Sequence, residues 1–358
     1  MTRTDTNGVI GIGVVGGGFG GYGLTPGFRR DPRCEVRAIA TGSETSGAAA
    51  AARFGIERAC NWSELIAAED IQAIAIASPP LVQAEIALAA LQAGKAVFVE
   101  KLLATDSPTG RRLVDAARRS GVANMVDFIF PELTTWQRLR ALLDEGAVGG
   151  PRHIFLDWRM ESFDVRTGKR GWKTDASARG GVLSHFGIHA LHYLEWLFGP
   201  AQALSARLTT APGLGMSGDT LAVLTLEFQS GASAAVTLSN AAFGASSHCL
   251  QVHGTDAALQ LCNRSPDPVD GFVLERMARG GAWERVAAED VGELARRDDK
   301  RVLPVSRLAT RFVDWMTTGT PSHPDFSDGL RALELLEAAL ESSSAGGVRR
   351  DLPPRTRS

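Results

Sequence analysis

The run Gly16-Gly17-Gly18-Phe19-Gly20-Gly21 constrains this chain more than any other stretch, because it stands directly behind the Val- and Ile-rich segment Val9–Val15. Glycine weakens helix and strand interiors by roughly 0.5–1 kcal/mol per residue relative to alanine, so such a run marks a tight turn. Gly16, Gly18 and Gly21 fill the three slots of G-x-G-x-x-G. The first glycine makes the turn, the second lets a pyrophosphate reach the backbone, and the third lets the next helix pack on the strand. With a strand before it and a helix over Leu24–Arg30 after it, the loop, with Phe19 and Gly20 inside it, predicts a dinucleotide held at a helix N-terminus.

The following sequence alternates short apolar runs with amphipathic ones. Val36–Ala40, Ile71–Ala77, Ala96–Glu100 and Val122–Phe128 read as strands. Ala48–Phe54, the segment capped by Asn61 and Glu64, Leu81–Ala93 and Asp106–Ser120 read as helices between them. Strands alternating with helices of this length mean βαβ units, a parallel sheet and, with right-handed crossovers, a doubly wound fold. Beyond about residue 130 the pattern changes. Pro131–Glu145 and Val182–Phe198 read as helices, Arg152–Met160 as a strand and 161–182 as a loop. Leu204–Thr209, Leu221–Gln229, Ala232–Leu238, Cys249–His253 and Ala257–Cys262 show period-two alternation and predict a largely antiparallel sheet. Arg307–Thr317 and Gly329–Ser342 read as closing helices, and the basic tail Gly346–Ser358 as loose. The fold expected is α/β throughout: a Rossmann domain over 1–124, then an α/β domain with an open sheet over 125–358.

Composition narrows the function. The 358 residues are 44% hydrophobic and 22% charged, enough for sizeable cores without metals or disulfides as staples. A net charge of −2 gives no footprint for nucleic acid. The doublets Arg111-Arg112 and Arg118-Arg119 sit on an expected helix and read as a solvated face. Cys34, Cys60, Cys249 and Cys262 form no C-x-x-C pair, which argues against a zinc ribbon or disulfide scaffold and fits a reducing cytosol. The polar start, Met1–Gly8, has no apolar core of a secretory signal, and no stretch offers the roughly 20 apolar residues of a membrane span. A cytoplasmic location with no membrane partner is therefore expected.

Cofactor choice turns on the end of the second strand. NAD-specific sites usually carry an acid about 20 residues beyond the loop, where it bonds the ribose. This chain has Thr41-Gly42-Ser43 there. Hydroxyls and a backbone amide suit a 2′-phosphate, so NADP is expected in preference to NAD.

Several ordered motifs carry a resemblance. Ser78-Pro79-Pro80, the segment Gly94-Lys95-Ala96-Val97-Phe98-Val99-Glu100-Lys101, the segment Gly180-Gly181-Val182-Leu183-Ser184-His185-Phe186-Gly187-Ile188-His189, and Phe326-Ser327-Asp328-Gly329-Leu330 lie in sequence along the chain. They resemble the Thr-Pro-Asn, Glu-Lys-Pro, Gly-Gly-x-x-x-Asp-x-Gly-x-His and closing segments of the glucose–fructose oxidoreductase/inositol dehydrogenase (Gfo/Idh/MocA) family. The resemblance implies a hydride transfer between a nicotinamide and a carbonyl or secondary alcohol, mostly of sugars, sugar nucleotides and cyclitols. It implies that Ser78, Pro79, Pro80, Gln83, Glu100, Lys101 and Trp172 line the cofactor. It implies that Lys101 is the acid or electrostatic group and His189 the proton carrier. It also implies a homodimer or homotetramer formed through the second domain's sheet.

Two residues depart from the family pattern. His185 replaces an aspartate that would help keep a lysine ammonium charged, so His185 is expected to tune proton transfer. Leu102 replaces a proline; a cis bond before leucine costs about 3–4 kcal/mol, so a trans Lys101–Leu102 bond is expected. His185, His189 and His192 fall at i, i+4 and i+7, but Phe186 stands where a zinc-protease helix needs glutamate, so no metal is expected. Asp157, Arg159 and Glu161 alternate along one strand and suit either a polyol pocket or an exposed sheet face. Reduction of a C=N bond or of a non-sugar ketone, and a dinucleotide-binding regulatory or inactive subunit, stand as alternatives.

Overall fold

The computed structural model describes residues 8–287 and 299–355, so the first seven residues of the polar start and the last three of the tail lie outside the described residues. The chain divides into two compact units, Met1–Glu132 with Gly292–Leu333, and Leu133–Val291 with Glu334–Ser358.

In the first unit, β1 (Ile10–Val15), β2 (Cys34–Ala40), β3 (Arg58–Ala59), β4 (Ala73–Ile76), β5 (Ala96–Val99) and β6 (Asn124–Val126) form a six-stranded sheet ordered β3-β2-β1-β4-β5-β6. Every pairing in it is parallel. The sequence dictates this: β1, β4, β5 and β6 are buried at every position, as strands covered on both faces must be. Helices α1 (Thr25–Arg29), α2 (Glu44–Phe54), α3 (Trp62–Ala67), α4 (Pro80–Gln92) and α5 (Ser107–Ser120) make the crossovers. Asn61 caps α3 with Glu64 reaching back, as the capping pattern predicts. Phe28, Phe98 and the later Phe312 meet edge to face at 5.3–6.1 Å and anchor the core.

In the second unit, α6 (Thr134–Asp144) precedes β7 (Pro151–Glu161), α7 (Phe163–Thr167) and α8 (Ile188–Phe198). The strands β8 (Ala201–Thr209), β9 (Leu221–Phe228), β10 (Ser233–Ser239), β11 (Ala241–Gly254), β12 (Ala257–Asn263), β13 (Val273–Ala278) and β14 (Glu284–Arg285) follow. After α9 (Val302–Thr318) and α10 (Phe326–Ser344), β15 (Arg350–Asp351) completes a nine-stranded sheet ordered β14-β13-β12-β11-β7-β10-β9-β8-β15. Among the described residues, β7 and β10 pair in parallel and the other named strands of this sheet pair antiparallel.

Three expectations are corrected. Cys249 and Cys262 are not isolated: they face each other across β11 and β12 and are joined as a disulfide. Their 13-residue gap is the length of a hairpin, which spacing alone does not reveal. The tail is not wholly loose, because Arg350 and Asp351 pair with Leu204 and Ala203 of β8. The stretch 161–182 holds α7 and two short 3₁₀ turns, Trp172–Thr174 and Ala176–Ala178. Among the described residues no helix is long and apolar enough to cross a membrane.

Candidate active site

The glycine loop of the first unit is shaped by its neighbours' main chain. Gly16 has φ +112°, and a Cβ there would come within 2.2 Å of the Ala77 carbonyl oxygen at the end of β4. A Cβ on Gly21 would sit 2.1 Å from the Phe54 ring of α2. Gly18 differs: nothing lies within 4 Å of where its Cβ would be. Packing therefore accounts for Gly16 and Gly21, and the open space at Gly18 fits the close approach of a phosphate. The chain then makes a π turn over Gly20–Leu24, in which Thr25 N–H donates to Gly20 O, before α1 begins. Such turns appear frequently at functional sites.

The other sequence-marked residues of this unit gather at the same, C-terminal edge of the parallel sheet. Gly16 N–H donates to Ala40 O, just before Thr41. Ser43 caps α2 by accepting from Ser46 N–H at 3.2 Å, and the Thr41 and Ser46 hydroxyls lie 2.5 Å apart. Pro79 caps α4 and Pro80 begins it, directly after Ser78. From α4, the Gln83 amide donates to the carbonyls of Glu100 and, at 2.7 Å, Leu102. That pair of bonds spans Lys101. The Lys101–Leu102 bond is cis, contrary to the sequence expectation. Tertiary context overrides the local preference here: Leu102 is 2% exposed and its carbonyl is tied to Gln83. The edge between β1 and β4, where strand order reverses, is where doubly wound sheets bind ligands.

Two residues here escaped the sequence reading. Asp127, at the end of β6, is 1% exposed, and burial with the neighbouring Glu100 charge holds its carboxyl well above the usual range. Arg301 is held by Asp299 at 2.6 Å, and its guanidinium lies 4.6 Å over the Phe19 ring and 5.7 Å over Tyr22. An acid closing an apolar parallel strand was a visible signal for Asp127. Nothing local marks Arg301, which is remote in sequence.

In the second unit, the histidine motif begins at the glycine pair. A Cβ on Gly180 would meet the Trp172 carbonyl at 2.4 Å, and one on Gly181, at φ +133°, would meet Asp219 Oδ1 at 2.1 Å. Asp219 in turn accepts from Leu183 N–H at 2.8 Å, and its carbonyl accepts from Val182 N–H. This pins a second π turn, Leu183–Gly187, which leads into α8. His185 lies in that turn and packs its ring 5.3 Å from Trp172. His189 lies in α8 and is buried. The three histidines thus do not share one regular helix, because the π turn intervenes between His185 and the other two.

Behind the turn, Phe186 stacks on Trp158 at 4.6 Å, and Trp158 stacks on His248 at 4.0 Å. His248 Nε2 and the Tyr193 hydroxyl are 2.9 Å apart, both buried. Burial lowers His248 to about 3 and raises the Tyr193 phenol, so both stay neutral and share a hydrogen bond. Asp157 and Arg159 occupy the opposite face of β7 from Trp158 and pair at 2.7 Å. There they border a concavity of about 510 Å³ with Phe155, Gln251 and Arg264. These charges thus lie on the exposed face of the sheet and also line its concavity, as both sequence readings allow.

Among the described residues, the grouping of ligand atoms close enough for a metal is His323, Asp325 and Asp328. Those atoms are engaged otherwise. Asp325 accepts from Ser327 and Asp328 N–H at the start of α10, and Asp328 accepts from His323 Nδ1 at 2.7 Å.

A parallel sheet with a glycine loop at its switch point defines a Rossmann-type fold, here followed by a mixed open sheet. The NAD-binding Rossmann domain of the Gfo/Idh/MocA oxidoreductases matches residues 10–128 and their C-terminal domain matches residues 136–260, and the chain belongs to that family. An uncharacterized oxidoreductase of Synechocystis is 27% identical over 290 residues, 77% of this chain and 78% of that protein. Levoglucosan dehydrogenase of Pseudarthrobacter phenanthrenivorans is 31% identical over 215 residues, 56% of this chain and 54% of that protein. A solved levoglucosan dehydrogenase in complex with NADH superimposes with a TM-score of 0.86 at 22% identity, over 96% of this chain and 99% of that one. The protein is therefore an oxidoreductase with an NAD-binding Rossmann fold.

Proposed function

We propose that the protein transfers a hydride between a nicotinamide dinucleotide and a carbonyl or secondary alcohol of a sugar, sugar nucleotide or cyclitol-like substrate. The observation that carries this is the convergence of the glycine loop, Thr41, Ser78 and the Glu100-Lys101 pair on one edge of the parallel sheet. The likeness to levoglucosan dehydrogenase supports the sugar class. When bound, the dinucleotide supplies or accepts the hydride. Gly16, Gly18, Phe19, Gly20 and Gly21 would receive its pyrophosphate, with Ser78, Pro79, Pro80, Gln83, Glu100 and Trp172 bordering it.

Lys101 is the group that stabilises charge developing on the substrate oxygen, and His189 carries the proton, tuned by His185. NADP is the preferred cofactor over NAD. The Thr41, Ser43 and Ser46 hydroxyls cluster at the start of α2 with no acid at the end of β2, and that arrangement favours a 2′-phosphate. The replacement of an acid by His185 keeps open a regulatory, non-turning-over reading.

The protein is proposed to be a homodimer or homotetramer through the outer face of the nine-stranded sheet, where Phe155 and Val223 are exposed. Size-exclusion chromatography with light scattering checks this. A cytoplasmic location remains proposed, with the Cys249–Cys262 bond as the observation weighing against it. The functional test is a panel of polyols, sugars and carbonyl compounds with each cofactor. Turnover on a sugar-like substrate is expected, falling by about 10²–10⁴-fold in Lys101→Ala and in His189→Ala. Tight cofactor binding with no turnover across the panel favours the regulatory reading.

A further inference from the structure

We propose that Asp127 and Glu100 share one proton, and that Asp127 is a positioning residue that holds Glu100 and sets the charge beside Lys101. Asp127 stands just past the end of β6, its N–H donating to Val99 O at 2.8 Å, and Glu100 and Lys101 follow the end of β5 alongside. It is 1% exposed, and neither of its carboxyl oxygens meets a hydrogen-bond donor among the described residues. Asp127 and Glu100 directly follow Val126 and Val99, which are partners in the parallel register of β6 and β5, so their side chains leave the sheet side by side on one face and the Glu100 carboxyl is the group beside Asp127.

Two carboxylates accept and cannot donate, so a bond between them requires a proton. Two carboxylates sharing one buried site do not both ionise. A buried carboxylate with no donor keeps its proton rather than its charge. Burial and then Glu100 push Asp127 upward, and the Arg301 and Lys101 charges pull it down by less. Asp127 is the more deeply buried of the two, so the proton sits on Asp127, which donates to a Glu100 oxygen.

A hydrogen bond to an ionised acceptor is short and strong, and it fixes the Glu100 carboxylate. While the proton is present, Lys101 faces one negative charge at this strand end; once it is lost, Lys101 faces two. The effect on catalysis rests on the role proposed for Lys101, whereas the shared proton does not.

The test uses the purified full-length protein, its infrared spectrum and its melting temperature across pH. Wild type should show the carbonyl stretch of a protonated carboxylic acid at pH 7, and Asp127→Asn should remove it. The asparagine amide donates to Glu100 in the proton's place. A raised folded pKa favours folding fully only below the unfolded value of about 3.9, and that stability is lost as pH rises toward the folded value. Asp127→Asn should therefore melt with wild type near pH 4 and above it at pH 8. In turnover it should lose an alkaline inflection that wild type shows, while Asp127→Ala, which leaves Glu100 unheld, should lose about tenfold to a hundredfold in kcat.

Absence of the acid band in wild type, its survival in Asp127→Asn, or a lower melting temperature of that variant at pH 8 overturns the proposal. Should Asp127→Asn fail to fold, Glu100→Gln serves: its amide donates to Asp127, and loss of the same band supports the proposal while its survival refutes it. A band that behaves as expected in a protein that turns nothing over leaves the shared proton standing and removes the oxidoreductase reading.

Discussion

In the first unit the glycine loop is shaped by a main-chain oxygen and a ring edge that occupy the space a Cβ would need, whereas in the second the histidine turn is shaped by side chains that bond to it and stack behind it. Gly16 is forced by the Ala77 carbonyl just beyond β4 and Gly21 by the Phe54 ring at the end of α2. The turn carrying His185 is instead held by Asp219 from just before β9, Trp158 from β7 and His248 from β11. A feature made by backbone close approach leaves a glycine in the sequence. A feature made by side-chain packing, such as the Phe186–Trp158–His248 stack, leaves residues that any core would use.

That contrast can be broken first at Gly16. Gly16→Ala combines a left-handed φ with a clash against a backbone oxygen that cannot move aside. The expected cost is about 2–6 kcal/mol in chemical denaturation, with loss of dinucleotide binding. A variant as stable as wild type would show that the loop is not held by main chain.

A smaller effect is expected behind the histidine turn. His248→Phe keeps the stack on Trp158 but leaves the Tyr193 hydroxyl without its imidazole partner, for about 1–3 kcal/mol at pH 7. His248 also sets an acid limit. Its folded value of about 3 lies below its ordinary 6.5, so the unfolded chain binds the extra proton between those values. Stability from this group is complete above about pH 6.5 and is lost as pH falls toward 3. Thermal melts of His248→Phe across that window should fall less steeply than those of wild type. Equal slopes would mean that His248 is not buried neutral.

The same contrast explains what was legible in the sequence. The strands of the parallel sheet and the Asn61 cap could be read because each is set by residues a few positions apart, and the loop because close approach leaves glycines in the sequence however remote the approaching group. The strand pairing of Arg350–Asp351, the strand Val273–Ala278 and the Cys249–Cys262 bond could not, because each depends on which strands become neighbours and in what register. Lys101–Leu102 misled for a related reason: its conformation goes with Gln83 and burial rather than with the residue that follows the lysine. The residues around Lys101 were legible as a resemblance, Asp127 left its signal as an acid closing an apolar strand, and Arg301 emerged only once the segment before α9 was placed over Phe19.

The most direct measurement is a titration of wild type and Gly18→Ala with NADPH and NADH, followed by nicotinamide fluorescence. Gly18 has open space where a Cβ would go, so the alanine variant should be as stable as wild type within about 1 kcal/mol. Wild type is predicted to bind NADPH more tightly than NADH, and Gly18→Ala to bind either at least about tenfold more weakly, a difference of about 1.4 kcal/mol. Binding of neither cofactor by wild type, or unchanged binding in a folded Gly18→Ala, would contradict the assignment of the loop as the dinucleotide site.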